Sequence, residues 1–159
     1  MNRKTVYLET SVISYLTNRV SRDLIVAGHQ ASTREWWDDQ RQAHDLYVSE
    51  LVVLEAGRGD EAAAQNRLAL LDGIELLRIT EEVAQLAQAL VTSHAIPDAA
   101  AADAVHVAVA AVNGMHYLLT WNCKHIANAE RFEAIRATCL DNGYQPPILC
   151  TPDELPGVT

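Results

Sequence analysis

The sequence predicts an α/β fold, a three-layer α/β/α sandwich around a mostly parallel central sheet. Short β-prone apolar runs alternate with helical segments along the whole chain, which is the pattern of parallel strands joined by helical crossovers. Cap and stop residues punctuate that alternation, with Ser49, Asp60, Thr80 and Asn128 before helices and Gly73, Gly114 and Gly143 after them. The chain has 159 residues, 49% hydrophobic and 21% charged, which suits a single globular domain, 1–159, with a substantial core.

Residues 5–8 form the first predicted strand, and Glu9 ends it. Thr10 and Ser11 are good N-cap residues for the helical pattern Val12, Ile13, Tyr15, Leu16. Residues 18–32 read as a loop with a short helix near 24–27, and 33–43 as a helix carrying the pair Trp36–Trp37. A second strand follows at 45–48, then a helix at 51–56 with Ser49 as its cap. Asp60 caps a helix at 61–71. A third strand is predicted at 74–79, and Thr80 caps a long amphipathic helix at 81–94. After Pro97, Asp98 reads as the cap of an Ala/Val-rich helix that runs to Gly114. Residues 117–121 make a fourth, buried strand. Asn128 caps a helix at 129–140, and 147–151 is a last short strand before a turn begun by Thr-Pro-Asp-Glu.

The formal net charge of −9 excludes binding of nucleic acid through an overall basic surface. It fits an acidic metal pocket, a basic protein partner, or both. No run reaches the roughly 20 apolar residues of a membrane helix, and no signal peptide is evident. Three cysteines without a CxxC argue against a disulfide framework and for a cytoplasmic home. Cys123 and His125 fall short of the ligand set of a structural zinc site.

Three acids share one peculiarity. Glu9 ends the first strand, while Glu55 and Asp103 each interrupt an otherwise apolar helix. Asn122 ends the fourth strand. In a parallel α/β sheet, strand C-termini and the starts of the following helices share one edge, so these residues can converge there. Buried carboxylates are costly unless paired, hydrogen-bonded or bound to metal, and a hard cation such as Mg²⁺ or Mn²⁺ is the natural partner of such a set. His106, one turn beyond Asp103, reads as a packed, hydrogen-bonded residue, with orientation of a carboxylate or phosphate as its alternative role.

The segments YLETSVISYL, SELVVLEA, ADAVHVAVAA and LLTWNCKHIANA, in that order and spacing, resemble the PIN domain, and more narrowly the VapC-type toxins of bacterial toxin–antitoxin pairs. The resemblance implies a PIN-like fold and a metal-dependent ribonuclease that uses Mg²⁺ or Mn²⁺. Its metal-binding acids fall on Glu9, Glu55 and Asp103, its fourth catalytic position falls on Asn122, and its small polar substrate-positioning residues fall on Thr10 and Ser11. It implies an RNA substrate and an antitoxin partner, with a homodimer as a further state. Two departures stand out. Glu9 is one methylene longer than the usual Asp, and Asn122 brings no charge, which disfavours a second tightly held ion. The alternative reading is a catalytically degenerate PIN-like protein that binds RNA or protein. In the toxin reading, Trp36 and Trp37 are expected to line an apolar groove for the antitoxin's tail.

Overall fold

The computed structural model describes residues 3–157. Its strands are β1 (Lys4–Leu8), β2 (His44–Ser49), β3 (Glu75–Leu77), β4 (Tyr117–Leu119) and β5 (Ile148–Cys150). All pair in parallel, in the order β3-β2-β1-β4-β5. Between them run α1 (Thr10–Thr17), α2 (Leu24–Gln40), α3 (Glu50–Ala56), α4 (Glu61–Leu70), α5 (Glu81–Thr92), α6 (Ala101–Val112) and α7 (Ala129–Asp141).

Three layers follow from the burial of β1. Val6, Tyr7 and Leu8 are consecutive and all fully buried. Neighbouring strand residues point to opposite faces, so both faces of the sheet are covered. The connections divide the helices. From β1 the chain steps outward to β2 and β3, then returns across the sheet to β4 and continues to β5. Right-handed crossovers running in opposite directions lay α1–α4 on one face and α5–α7 on the other. Accordingly α1 packs against α2, α3 and α4, while α5 packs against α6 and α7. The direction of travel reverses between β1 and β4, and a crevice opens at their C-terminal ends, where α/β sheets bind ligands.

Local chemistry accounts for most element ends. Ser49, Asp60 and Thr80 accept from backbone N–H groups in the first turns of α3, α4 and α5, and Asn128 does so for α7. Gly114, at φ 67°, takes the left-handed conformation just past α6. Among Ala104 to Ala111, every residue of α6 except Val105 is buried. Its small Ala and Val side chains let it pack closely on its neighbours.

Several expectations need correction. Residues 18–23 form the expected loop, but the short helix predicted near 24–27, the loop after it and the helix at 33–43 are one long helix, α2, followed by a 3-10 turn at Arg41–Ala43. Asp23 starts it by accepting from the N–H groups of Ile25 and Val26, at 2.9 and 3.1 Å. Thr10 and Ser11 are not caps. Glu9 holds the N-cap position, and both hydroxyls bond to carboxylates. Asp98 caps nothing, because it opens a 3-10 turn, Asp98–Ala100, that leads into α6. The third and fourth strands are shorter than predicted, at three residues each.

The tryptophan groove is also overturned. Trp36 and Trp37 are 2% and 7% exposed, so the pair belongs to the core and leaves too little surface to form the expected apolar groove. Trp36 packs inward with its ring 5.9 Å from that of His44. The Arg41 guanidinium lies 5.1 Å from the centre of the Trp37 ring.

Candidate active site

Glu9 leaves the end of β1 and enters the crevice between β1 and β4. Its backbone N–H donates to Leu119 O at 3.0 Å, which ties it to the neighbouring strand. The residue is 7% exposed. Its Oε1 accepts from the Thr120 hydroxyl at 2.6 Å and from the Ser11 hydroxyl. Ser11 Oγ in turn accepts the Trp121 N–H at 2.8 Å. The residues after β4 and the first turn of α1 therefore hold the same carboxylate oxygen. The other oxygen, Oε2, faces His106 Nε2 at 4.0 Å.

Glu55 reaches the same point from α3. Its Oε1 accepts from Thr10 Oγ1 at 2.6 Å and from His106 Nε2 at 2.7 Å. A carboxylate can only accept, so Nε2 carries the hydrogen in this arrangement. Burial acts to raise the Glu55 carboxyl, but the hydrogen bonds from His106 and Thr10, with the charges of His106 and Arg58, outweigh it and hold the group below its ordinary 4.5. Ionised Glu55 therefore adds stability that is fully present above the unfolded-state value of 4.5 and is lost as pH falls through the lower folded-state value. Urea unfolding of wild type and Glu55→Gln should show a steeper acid-side loss of stability in the wild type.

His106 is 1% exposed and projects from α6. Its Nδ1 lies 2.6 Å from the Tyr7 hydroxyl, which lies 2.8 Å from Ser49 Oγ. Burial pushes the Tyr7 phenol far above its ordinary value, so it stays protonated. The row Ser49–Tyr7–His106–Glu55 links β2, β1, α6 and α3.

The structure thus brings Glu9, Glu55 and His106 together, with one potential ligand atom from each within 4.8 Å of the others. Asp103 stands one turn before His106 on α6 and pairs its Oδ2 with His125 Nδ1 at 2.9 Å. Neighbours at this spacing share a helix face. Asn122 uses Oδ1 to accept the His125 N–H at 3.0 Å, capping the turn after Trp121. Tyr7, Ser49, Thr120 and His125 carry no signal in the sequence that marks them for this site. His106 does, through its spacing from Asp103.

Thr120 gives a direct test of how the crevice is held. It is fully buried, donates to Glu9 and accepts the Asn122 N–H at 2.9 Å. Thr120→Val keeps the shape and removes both bonds. It should destabilise the fold by about 1–3 kcal/mol, measured by urea titration.

Comparison with known proteins agrees with this architecture. The family model for the PIN domain matches residues 6–135. No curated protein sequence matches the chain. Among solved structures, the chain is similar to one from VapBC2 of Rickettsia felis bound to a DNA fragment from their promoter. The two share 16% identity at a TM-score of 0.59, over 92% of this chain and 98% of that one. It is also similar to VapC20 of Mycobacterium tuberculosis, a Sarcin-Ricin loop cleaving toxin. There the identity is 16% and the TM-score 0.60, over 76% of this chain and 92% of that one. At this identity the likeness to the two structures is one of fold.

Proposed function

The chain belongs to the PIN domain family, and on that premise we propose that it is a divalent-metal-dependent endoribonuclease, the toxin of a toxin–antitoxin pair. The observation that carries this reading is the meeting of Glu9 and Glu55 in the crevice between β1 and β4, each already oriented by hydroxyl donors. Their donor set fits a divalent cation. Hard cations take carboxylate oxygens and retain waters, so they need few protein ligands. The hydroxyls hold Oε1 of both acids, and each carboxylate keeps further lone pairs for an ion. Glu9 and Glu55 are the proposed ligands, with Asp103 as the third acid of the centre. When bound, Mg²⁺ or Mn²⁺ would polarise a water and neutralise charge on the scissile phosphate.

The remaining work falls to the chain itself. Ser11 and Thr120 fix the Glu9 carboxylate, and Thr10 fixes that of Glu55. Thr10 and Ser11 position the substrate chiefly through the carboxylates they hold. Asn122 orients water or phosphate without adding charge, in keeping with one tightly held ion. RNA reaches this acidic protein through the ion and a local basic rim rather than a basic surface.

The Rickettsia felis neighbour is a VapBC assembly, and by analogy an antitoxin is the proposed partner here, with a second copy of the chain as a further one. A net charge of −9 favours a basic inhibitory segment. The proposed location is the cytoplasm. Among the described residues, no helix is long and apolar enough to cross a membrane.

The test is RNA cleavage by the purified chain with Mg²⁺, with Mn²⁺ and with chelator. Internal cuts that appear with metal and vanish with chelator are the expected result. RNA left intact at every metal concentration would overturn the nuclease and leave a binding protein.

A further inference from the structure

We propose that His106 is a nitrogen ligand of this cation, so that the centre is a mixed carboxylate–imidazole site holding Mn²⁺ in preference to Mg²⁺. The inference deepens the metal-dependent reading above and rests on it. The first support is position. His106 Nε2 lies 2.7 Å from Glu55 Oε1 and 4.0 Å from Glu9 Oε2. A small divalent cation holds its donors at about 2.0–2.2 Å, so adjacent donors stand ~3 Å apart and opposite ones ~4 Å. The three side chains span that range already.

The second support lies behind the ring. A histidine that binds metal through one nitrogen anchors the other on a partner that fixes the ring. Here Nδ1 faces the Tyr7 hydroxyl at 2.6 Å, and that hydroxyl has Ser49 Oγ at 2.8 Å. With Tyr7 donating to Ser49, its oxygen accepts the Nδ1 hydrogen, and Nε2 is left with a free lone pair. Without the cation, the Nε2 hydrogen fills the same gap by donating to Glu55. The third support is donor chemistry. Mn²⁺, a first-row transition ion, takes a nitrogen donor more readily than Mg²⁺, which holds to a near-ideal octahedral shell of oxygens and parts reluctantly with its waters. Asp103 is already paired with His125 and is not one of the three residues whose ligand atoms gather here.

The experiment adds Mn²⁺ alone to the full chain and records electron spin echo modulation, with metal affinities measured by calorimetry. The wild type should show modulation from a directly bound nitrogen. His106→Gln should lose it and bind Mn²⁺ about tenfold or more weakly, with a much smaller change for Mg²⁺. His125→Gln should keep it. Bound Mn²⁺ without nitrogen modulation in the wild type would overturn the proposal, as would modulation that survives His106→Gln or is lost in His125→Gln. Failure of the wild type to bind Mn²⁺ at all would instead overturn the metal-dependent reading, and this proposal with it. Should His106→Gln not fold, the wild-type spectrum still decides. Tyr7→Phe then serves as the second variant, expected to keep the nitrogen signal at reduced affinity.

Discussion

Asp103→Asn is expected to reduce metal-dependent RNA cleavage on the order of a hundredfold or more and to leave the protein folded. A metal centre contributes several kcal/mol of transition-state stabilisation, and each ~1.4 kcal/mol is tenfold in rate. The change removes one negative charge from the proposed centre. It preserves shape, and the Asn oxygen can still accept the hydrogen bond from His125 Nδ1. Melting temperature without metal should therefore hold, because the shape and the hydrogen bond to His125 are both kept. Asp98→Asn is the matched comparison. The Asp98 side chain caps nothing, so cleavage should equal that of wild type. RNA cleavage with and without Mn²⁺, beside melting curves for both variants, measures the contrast. Full cleavage by the Asp103 variant would remove it from the site.

Leu119→Ala should give the largest loss of stability among simple truncations, about 2–5 kcal/mol. Leu119 is fully buried in β4, paired with Leu8 on one side and Cys150 on the other. Truncation leaves a void against one face of the central sheet, where the elements packed on that face and both flanking strands resist collapse into it. For a protein of this size the melting temperature should fall on the order of 10 °C. Val20→Ala, at a position 81% exposed, should shift stability by no more than about 0.5 kcal/mol. Calorimetric melting compares the two.

The strand positions were legible because buried parallel strands read as short apolar runs, and the 117–121 run needs no partner to be noticed. Glu55 was legible for a similar reason, since it stands out within an apolar helix, and the structure brings it to Glu9. Asp103 stands out equally but is paired with His125. Helix α2 was not legible. Its exposed Leu24 and Ile25, its Gly28 and its adjacent tryptophans hide any helical spacing, and Asp23 as its cap is visible only in three dimensions. The hydroxyls of Thr10 and Ser11 satisfy the sequence rule for a cap, but two nearby carboxylates compete for them more strongly than backbone N–H groups do. His106 shows the limit most clearly. Its spacing from Asp103 is local, but the Tyr7 hydroxyl that anchors it comes from 99 residues upstream. No local pattern reports that contact.

Glu9 is gripped by Thr120, which lies 111 residues further along the chain, and this separation sets the order in which the crevice can form. During synthesis β1 leaves the ribosome well before its β4 neighbour is made, more than a hundred residues later. A fragment ending before Thr120 lacks the Leu119 carbonyl and Thr120 hydroxyl on which the Glu9 backbone and carboxylate rest. Closing so long a loop carries an entropic cost before any contact repays it. Parallel sheets of this kind accordingly fold slowly and leave strand edges exposed meanwhile. The acid pocket therefore forms only after synthesis has passed Thr120, and a nascent chain carries Glu9 and Glu55 without the geometry that joins them.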